Sequence, residues 1–248
     1  MIEAIEAQRD EFYVGYEPRM PTGIARRVSW AVGLFACAAG VAASISVAAQ
    51  QRLPPSRFEF GVVKPVAGIL RRDPYPSLQA NGRRVWLVGP GKSGADTVLS
   101  ATPDGAVTLR GSAIGRGPHR MLEVVPPGAG SASPLPVGVQ SSDRERQFGV
   151  VTLTGEIVDS KCFLGVMNPG EGAVHRDCAR RCLSGGIPPM LLVRNDEGLE
   201  ELVLLLSATG ERTGEKFARV AGQPITVTGR LAREGNAWML YVGAHRAQ

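Results

Sequence analysis

The apolar positions divide this chain into one unbroken hydrophobic run and a long remainder of short alternating segments. The run VSWAVGLFACAAGVAASISVAA, residues 28–49, contains no charged side chain. At ~1.5 Å per residue it reaches about 33 Å, enough for a bilayer core of about 30 Å. A soluble-domain helix would carry a polar face, and this run has none, so 28–49 predicts a transmembrane helix. Ala36, Gly40 and Ser44 fall one turn apart with Gly33 nearby, a small-residue face that lets a second helix approach closely. The plainer alternative is an alanine-rich helix without a partner. Cys37, inside the run, reads as a small packing residue.

Beyond residue 50 the alternation repeats itself. VTLRGSAIGRGPHRMLEV, 107–124, aligns without gaps to ITVTGRLAREGNAWMLYV, 225–242. Thr108 matches Thr226, Gly111 matches Gly229, Gly117 matches Gly235, and Met121-Leu122 match Met239-Leu240. Each copy alternates, turns at its second glycine and alternates again, which is a β-hairpin pattern. Upstream, EFGVVKPVAGIL parallels QFGVVTLTGEIV, and VWLV at 85–88 parallels MLLV at 190–193. Two copies of a five-strand module of this size suit small closed barrels of the OB type, since closure removes sheet edges. The expected fold is therefore mainly β, with two OB-like barrels in tandem after one N-terminal transmembrane helix. The expected order is a cytoplasmic tail (1–27), the span (28–49), module 1 (56–126), a Pro/Gly/Ser-rich linker (127–145) and module 2 (146–248) with a helical insert.

Charge refines this only slightly. After residue 50 the chain has 24 Lys and Arg against 18 Asp and Glu, a mild excess read as solvation. No basic run is interleaved with aromatics, so nucleic acid is not an expected partner. Arg26 and Arg27 precede the span and favour a cytoplasmic N-terminus, leaving the modules outside. A cleavable leader ending at Ser46-Val47-Ala48 is the rival, but the long acidic segment before the run is unlike a short basic leader.

The chemistry concentrates in the insert of module 2, VDSKCFLGVMNPGEGAVHRDCARRCLSGGIPP, which holds Cys162, His175, Cys178 and Cys182. A helix over about 173–183, ended by Gly185-Gly186 and Pro188-Pro189, would put His175, Cys178 and Cys182 on one face within reach of Cys162. Three readings follow. Cys162 forms a disulfide with Cys178 or Cys182, favoured in an exported compartment. Alternatively the four residues bind zinc or copper as a Cys3His set, with Asp159 or Met167 as substitutes. In the third, a thiolate supported by Arg176, Arg180 and Arg181 exchanges with a partner.

Other patterns carry less. Gly89-Pro-Gly-Lys-Ser-Gly94 matches G-x-G-x-x-G but lacks a following long helix and a ribose-binding acid, so it reads as a flexible loop whose amides and Lys92 could hold an anion. His119 and His245 are expected to be exposed and idle, and Glu156 with Asp159 to be hydrated acids. No convincing catalytic set emerges, which points away from an enzyme.

The stretch GEIVDSKCFLGVMNPGEGAVHRDCARRCLSGGIPPMLLV resembles a region of uncharacterised, membrane-anchored exported bacterial proteins, and the leader FYVGYEPRMPTGIARR resembles their N-terminal tail. This resemblance implies an accessory role beside a membrane redox system. The expectation is a single-pass inner-membrane protein with a periplasmic C-terminal part. It would be a non-catalytic accessory or assembly subunit in contact with the bilayer and a membrane complex. A periplasmic metal-binding protein is the alternative.

Overall fold

A computed structural model describes residues 20–51, 56–126, 133–134 and 145–243. The leader to residue 19, most of the 127–145 linker and His245 lie outside the described residues. The chain forms two compact units, divided at Pro54 and Pro55. In the first, helix α1 (Thr22–Gln51) is long and apolar enough to cross a membrane. It runs beyond the predicted 28–49 at both ends, because nothing between Pro21 and Val28 breaks a helix and Arg26 and Arg27 are good helix formers. Its residues are unburied.

The second unit contains both barrels. In the first barrel the strands are β2 (Lys64–Arg71), β3 (Ser77–Ala80), β4 (Arg83–Val88), β5 (Gly105–Arg116) and β6 (His119–Val124). They close in the order β5-β2-β3-β4-β6-β5, with β4 and β6 parallel and the other pairs antiparallel. Short β1 (Ser56–Phe58) and β7 (Ser133–Pro134) pair with β5 from outside. The second barrel is built from β8 (Arg146–Asp159), β9 (Pro189–Arg194), β10 (Glu200–Ser207), β11 (Pro224–Glu234) and β12 (Ala237–Val242). It closes in the same order, again with one parallel pair, β10 and β12. This is the OB arrangement in tandem.

The internal repeat is carried by register as well as by sequence. Gly111 faces Val124 and Gly229 faces Val242, the same hairpin register in both copies. Both glycines are required, since a Cβ would lie 2.3 Å from Glu123 O at the first and 2.5 Å from Tyr241 O at the second. Register also corrects two alignments. Lys64 faces Gly111 and Val151 faces Gly229, so the β2 and β8 segments match one residue out of step with the gap-free reading. VWLV lies on β4, whose counterpart is Val203 to Leu206 of β10, because Trp86 pairs with Met121 as Leu204 pairs with Met239. MLLV at 190–193 belongs instead to β9. Apolar strands buried on both faces lose the alternation that would tell them apart.

Each barrel fills its own interior, around Leu78, Leu87 and Leu122 in the first and Leu191, Leu205 and Leu240 in the second. A third apolar cluster joins them. Tyr75, Trp86, Ile114 and Met121 of the first barrel pack with Phe163, Leu164, Ile187 and Met190 of the second. Arg116 crosses this junction, forming two 3.0 Å hydrogen bonds to Glu200 while its guanidinium lies 4.3 Å from the Phe163 ring centre. The cysteine-bearing insert is thus part of the seam between the barrels.

Candidate metal centre

Cys162, Cys178 and Cys182 converge in that seam. Strand β8 ends at Asp159 and the chain turns through a wide helical turn, Cys162–Val166, directing Cys162 inward. Cys178 and Cys182 lie one turn apart on helix α2 (Arg176–Ser184). The helix ends as its glycines predict. Gly186, at φ 91°, donates to Leu183 O and Ile187 N donates to Cys182 O, a Schellman stop. The three sulfurs all lie within 4.8 Å of one another, with Cys162 and Cys182 buried and Cys178 half-buried. All four cysteines are free thiols, and Cys162 Sγ lies 4.0 Å from Cys178 Sγ, well beyond a disulfide bond of about 2 Å.

His175 takes a different position from the one expected. The predicted helix over 173–183 begins instead with a tight turn, Ala173–His175, and the α-helix starts at Arg176. His175 Nε2 lies 2.8 Å from Asp159 Oδ2, and both side chains are buried. Asp159 Oδ1 accepts from the Cys162 backbone N–H at 2.8 Å. With Asp159, the four predicted residues form two groups that share Cys162: the three thiols, and Asp159 with Cys162 and His175. Met167 is exposed at the far end of its turn. Glu156 is occupied apart from Asp159, accepting from the Gly172 N–H.

The nearest cation is not one of the predicted arginines. Arg180 pairs with Asp177 on the helix surface, whereas Lys92 places Nζ 2.6 Å from Cys178 Sγ. Lys92 comes from the first barrel, in the glycine loop that sequence reads as flexible. That loop is fixed at both ends. Gly94 N donates to Gly185 O at 2.8 Å, and a Cβ on Gly185 would meet Lys92 O at 1.9 Å, so loop and helix end touch backbone to backbone. Buried Lys161 donates to Gly89 O (2.8 Å) and Gly91 O (2.7 Å) and pairs with Glu123 at 2.5 Å. The loop thus offers carbonyls to a lysine rather than amides to an anion. His119 is less exposed than expected, half-buried with Nε2 3.6 Å from Glu201 across the seam, beyond hydrogen-bond reach. Burial holds its imidazole below the usual histidine range.

The thiols are electrostatically unequal. Cys162 donates to Cys182, and that bond, burial and the Asp159 charge together push the Cys162 thiol up. Accepting the same bond holds the Cys182 thiol low, and Lys92 adds to this. The hydrogen bond to Cys178 raises the Lys92 ammonium. Sequence reasoning missed Lys161 and gave Lys92 to an anion rather than to a thiol. The available signal for Lys161 is a lone lysine directly before the apolar turn CFLGV; Lys92 lies 86 residues from its thiol, in the other module.

No protein-family model, curated protein or solved structure matches the chain. None of these comparisons supports the expected resemblance to anchored exported proteins.

Proposed function

We propose that this chain binds one soft metal ion, Cu(I) or Zn(II), at Cys162, Cys178 and Cys182. The carrying observation is the convergence of three sulfurs within 4.8 Å from two elements, the turn after β8 and helix α2. Soft d10 ions favour thiolates: Cu(I) is satisfied by three, and Zn(II) takes a fourth donor. His175 stands in the neighbouring group with Asp159 and Cys162, so a fourth donor for Zn(II) is expected from water or from a shift of the imidazole. Lys92 offsets part of the thiolate charge. The test is metal content after purification of the full chain in mild detergent under reducing conditions. One equivalent is expected, falling below a tenth in Cys178→Ala; a metal-free native protein with three free cluster thiols contradicts the reading.

The setting we propose is an accessory or assembly subunit of a membrane-bound redox complex, anchored in the bacterial inner membrane with both barrels in the periplasm. What supports it is the face of Gly33, Ala36, Gly40 and Ser44 on a helix long and apolar enough to cross a membrane. Close helix–helix contact needs such a face. The chain is expected to elute from mild detergent with a second membrane protein, and Gly40→Leu to elute alone. Elution of the unaltered chain as a lone monomer opposes the proposal.

A further inference from the structure

We propose that Lys92 and Cys178 are a covalent redox pair, joined on oxidation through one oxygen atom as an Nζ–O–Sγ bridge. The inference rests on the metal reading only for its consequence, the loss of one donor from the three-thiol site.

Three observations converge on this pair. First, Nζ and Sγ lie 2.6 Å apart, below even the usual range for N–H···O bonds, although sulfur is larger than oxygen. Two single bonds of ~1.5 Å meeting at a tetrahedral angle span roughly 2.5 Å, so one bridging atom fits this separation. Second, the approach is imposed by the backbone. The contact of Gly185 with Lys92 O, the Gly94 to Gly185 hydrogen bond and the Lys161 clamp fix the loop against α2. Third, the pair stands where an oxidant arrives. Lys92 is exposed and Cys178 half-buried, whereas Cys162 and Cys182 are buried. The competing disulfide requires Cys178 Sγ to close 4.0 Å on a buried partner. Among the described residues Lys92 forms no ion pair with a carboxylate that would hold it away from sulfur.

The oxidant is dioxygen. The Lys92 nitrogen gives up one hydrogen to oxygen and one proton to water, the Cys178 thiol gives up its hydrogen, an N–O and an O–S bond form around one oxygen atom, and the second oxygen leaves as water. Four electrons pass from nitrogen and sulfur to dioxygen. Two equivalents of a dithiol reverse the step, returning amine, thiol and water. While the bridge stands, Cys178 cannot ligate, and a site reduced to two thiols is expected to hold Cu(I) or Zn(II) at least about tenfold more weakly.

The experiment is intact and peptide mass spectrometry of the full chain in detergent, reduced and stripped of metal, before and after exposure to air. A gain of about 14 Da is expected, one oxygen in and two hydrogens out, removed by dithiothreitol and located on a linked pair of peptides carrying Lys92 and Cys178. Lys92→Arg keeps the cation and Cys178→Ser the polarity, and both are expected to lose the gain. The proposal is overturned if Lys92→Arg gains the same mass. It is also overturned if air produces a Cys162–Cys178 disulfide or a sulfinic acid with Lys92 unlinked. Metal uptake by the reduced chain is read separately, so failure of the bridge leaves the metal site standing and failure of the metal site leaves the bridge testable.

Discussion

Replacing Lys161 by methionine is expected to lower the stability of the tandem barrels by about 3 kcal/mol, within the range of roughly 3–5 kcal/mol for removing one partner of a buried ion pair. Lys161 is 2% exposed, and its ammonium is shared among Glu123 and the Gly89 and Gly91 carbonyls. Methionine retains most of the stem and so leaves little cavity. What is lost is every donor, stranding a carboxylate and two carbonyls in the seam. Glu123 keeps 17% of its side-chain exposure, so water recovers part of the loss and the low end of the range applies. Guanidinium unfolding followed through the tryptophan signal gives the number. A second substitution, Glu123→Gln, is expected to restore a measurable part of it, because neighbours sharing one interaction are not additive. A change under about 0.5 kcal/mol, the scale of ordinary surface substitutions, would show that the lysine does not clamp the seam.

Asp159→Ala is expected to cost a similar amount, about 3 kcal/mol, by a different route. Asp159 is fully buried and holds two groups at once, the Cys162 N–H and the His175 ring. Its loss leaves a donor unpaired at the first residue of the turn and frees the imidazole that abuts it. Asp159→Asn retains one acceptor and is expected to lose less than alanine does. The site supplies a second readout. With the turn loosened, Cys162 is expected to react with a thiol reagent at least about tenfold faster, since local opening governs access to buried groups. Unchanged stability and unchanged thiol reactivity would mean that the carboxylate does not organise the turn.

The elements that sequence reveals here are those whose two faces differ. Strands β5 and β11 alternate buried and exposed positions, and the glycine each needs opposite its partner strand recurs at one spacing. That is why the repeated hairpin reads correctly and implies two barrels. The strands buried on both faces carry no such mark, and VWLV is matched to β9 in sequence although it belongs with β10. At the site, local spacing brings Cys178 and Cys182 together on α2 and leaves Cys162 within reach. It misplaces His175, because a buried carboxylate sixteen residues away at the end of β8 outweighs helical continuity. Lys92 and Lys161 act across the seam. Only the docking of one barrel against the other creates that contact, and no pattern within either module reports it.

In the proposed site, three sulfurs of this chain surround one metal ion. Metal-edge X-ray absorption on the full chain, purified in detergent with its native metal, measures this directly. A first shell of three sulfurs is expected, at about 2.3 Å if the ion is zinc, and it is lost in the Cys162→Ser/Cys178→Ser/Cys182→Ser variant. A first shell of nitrogen and oxygen only, or metal retained by the triple variant, would contradict it.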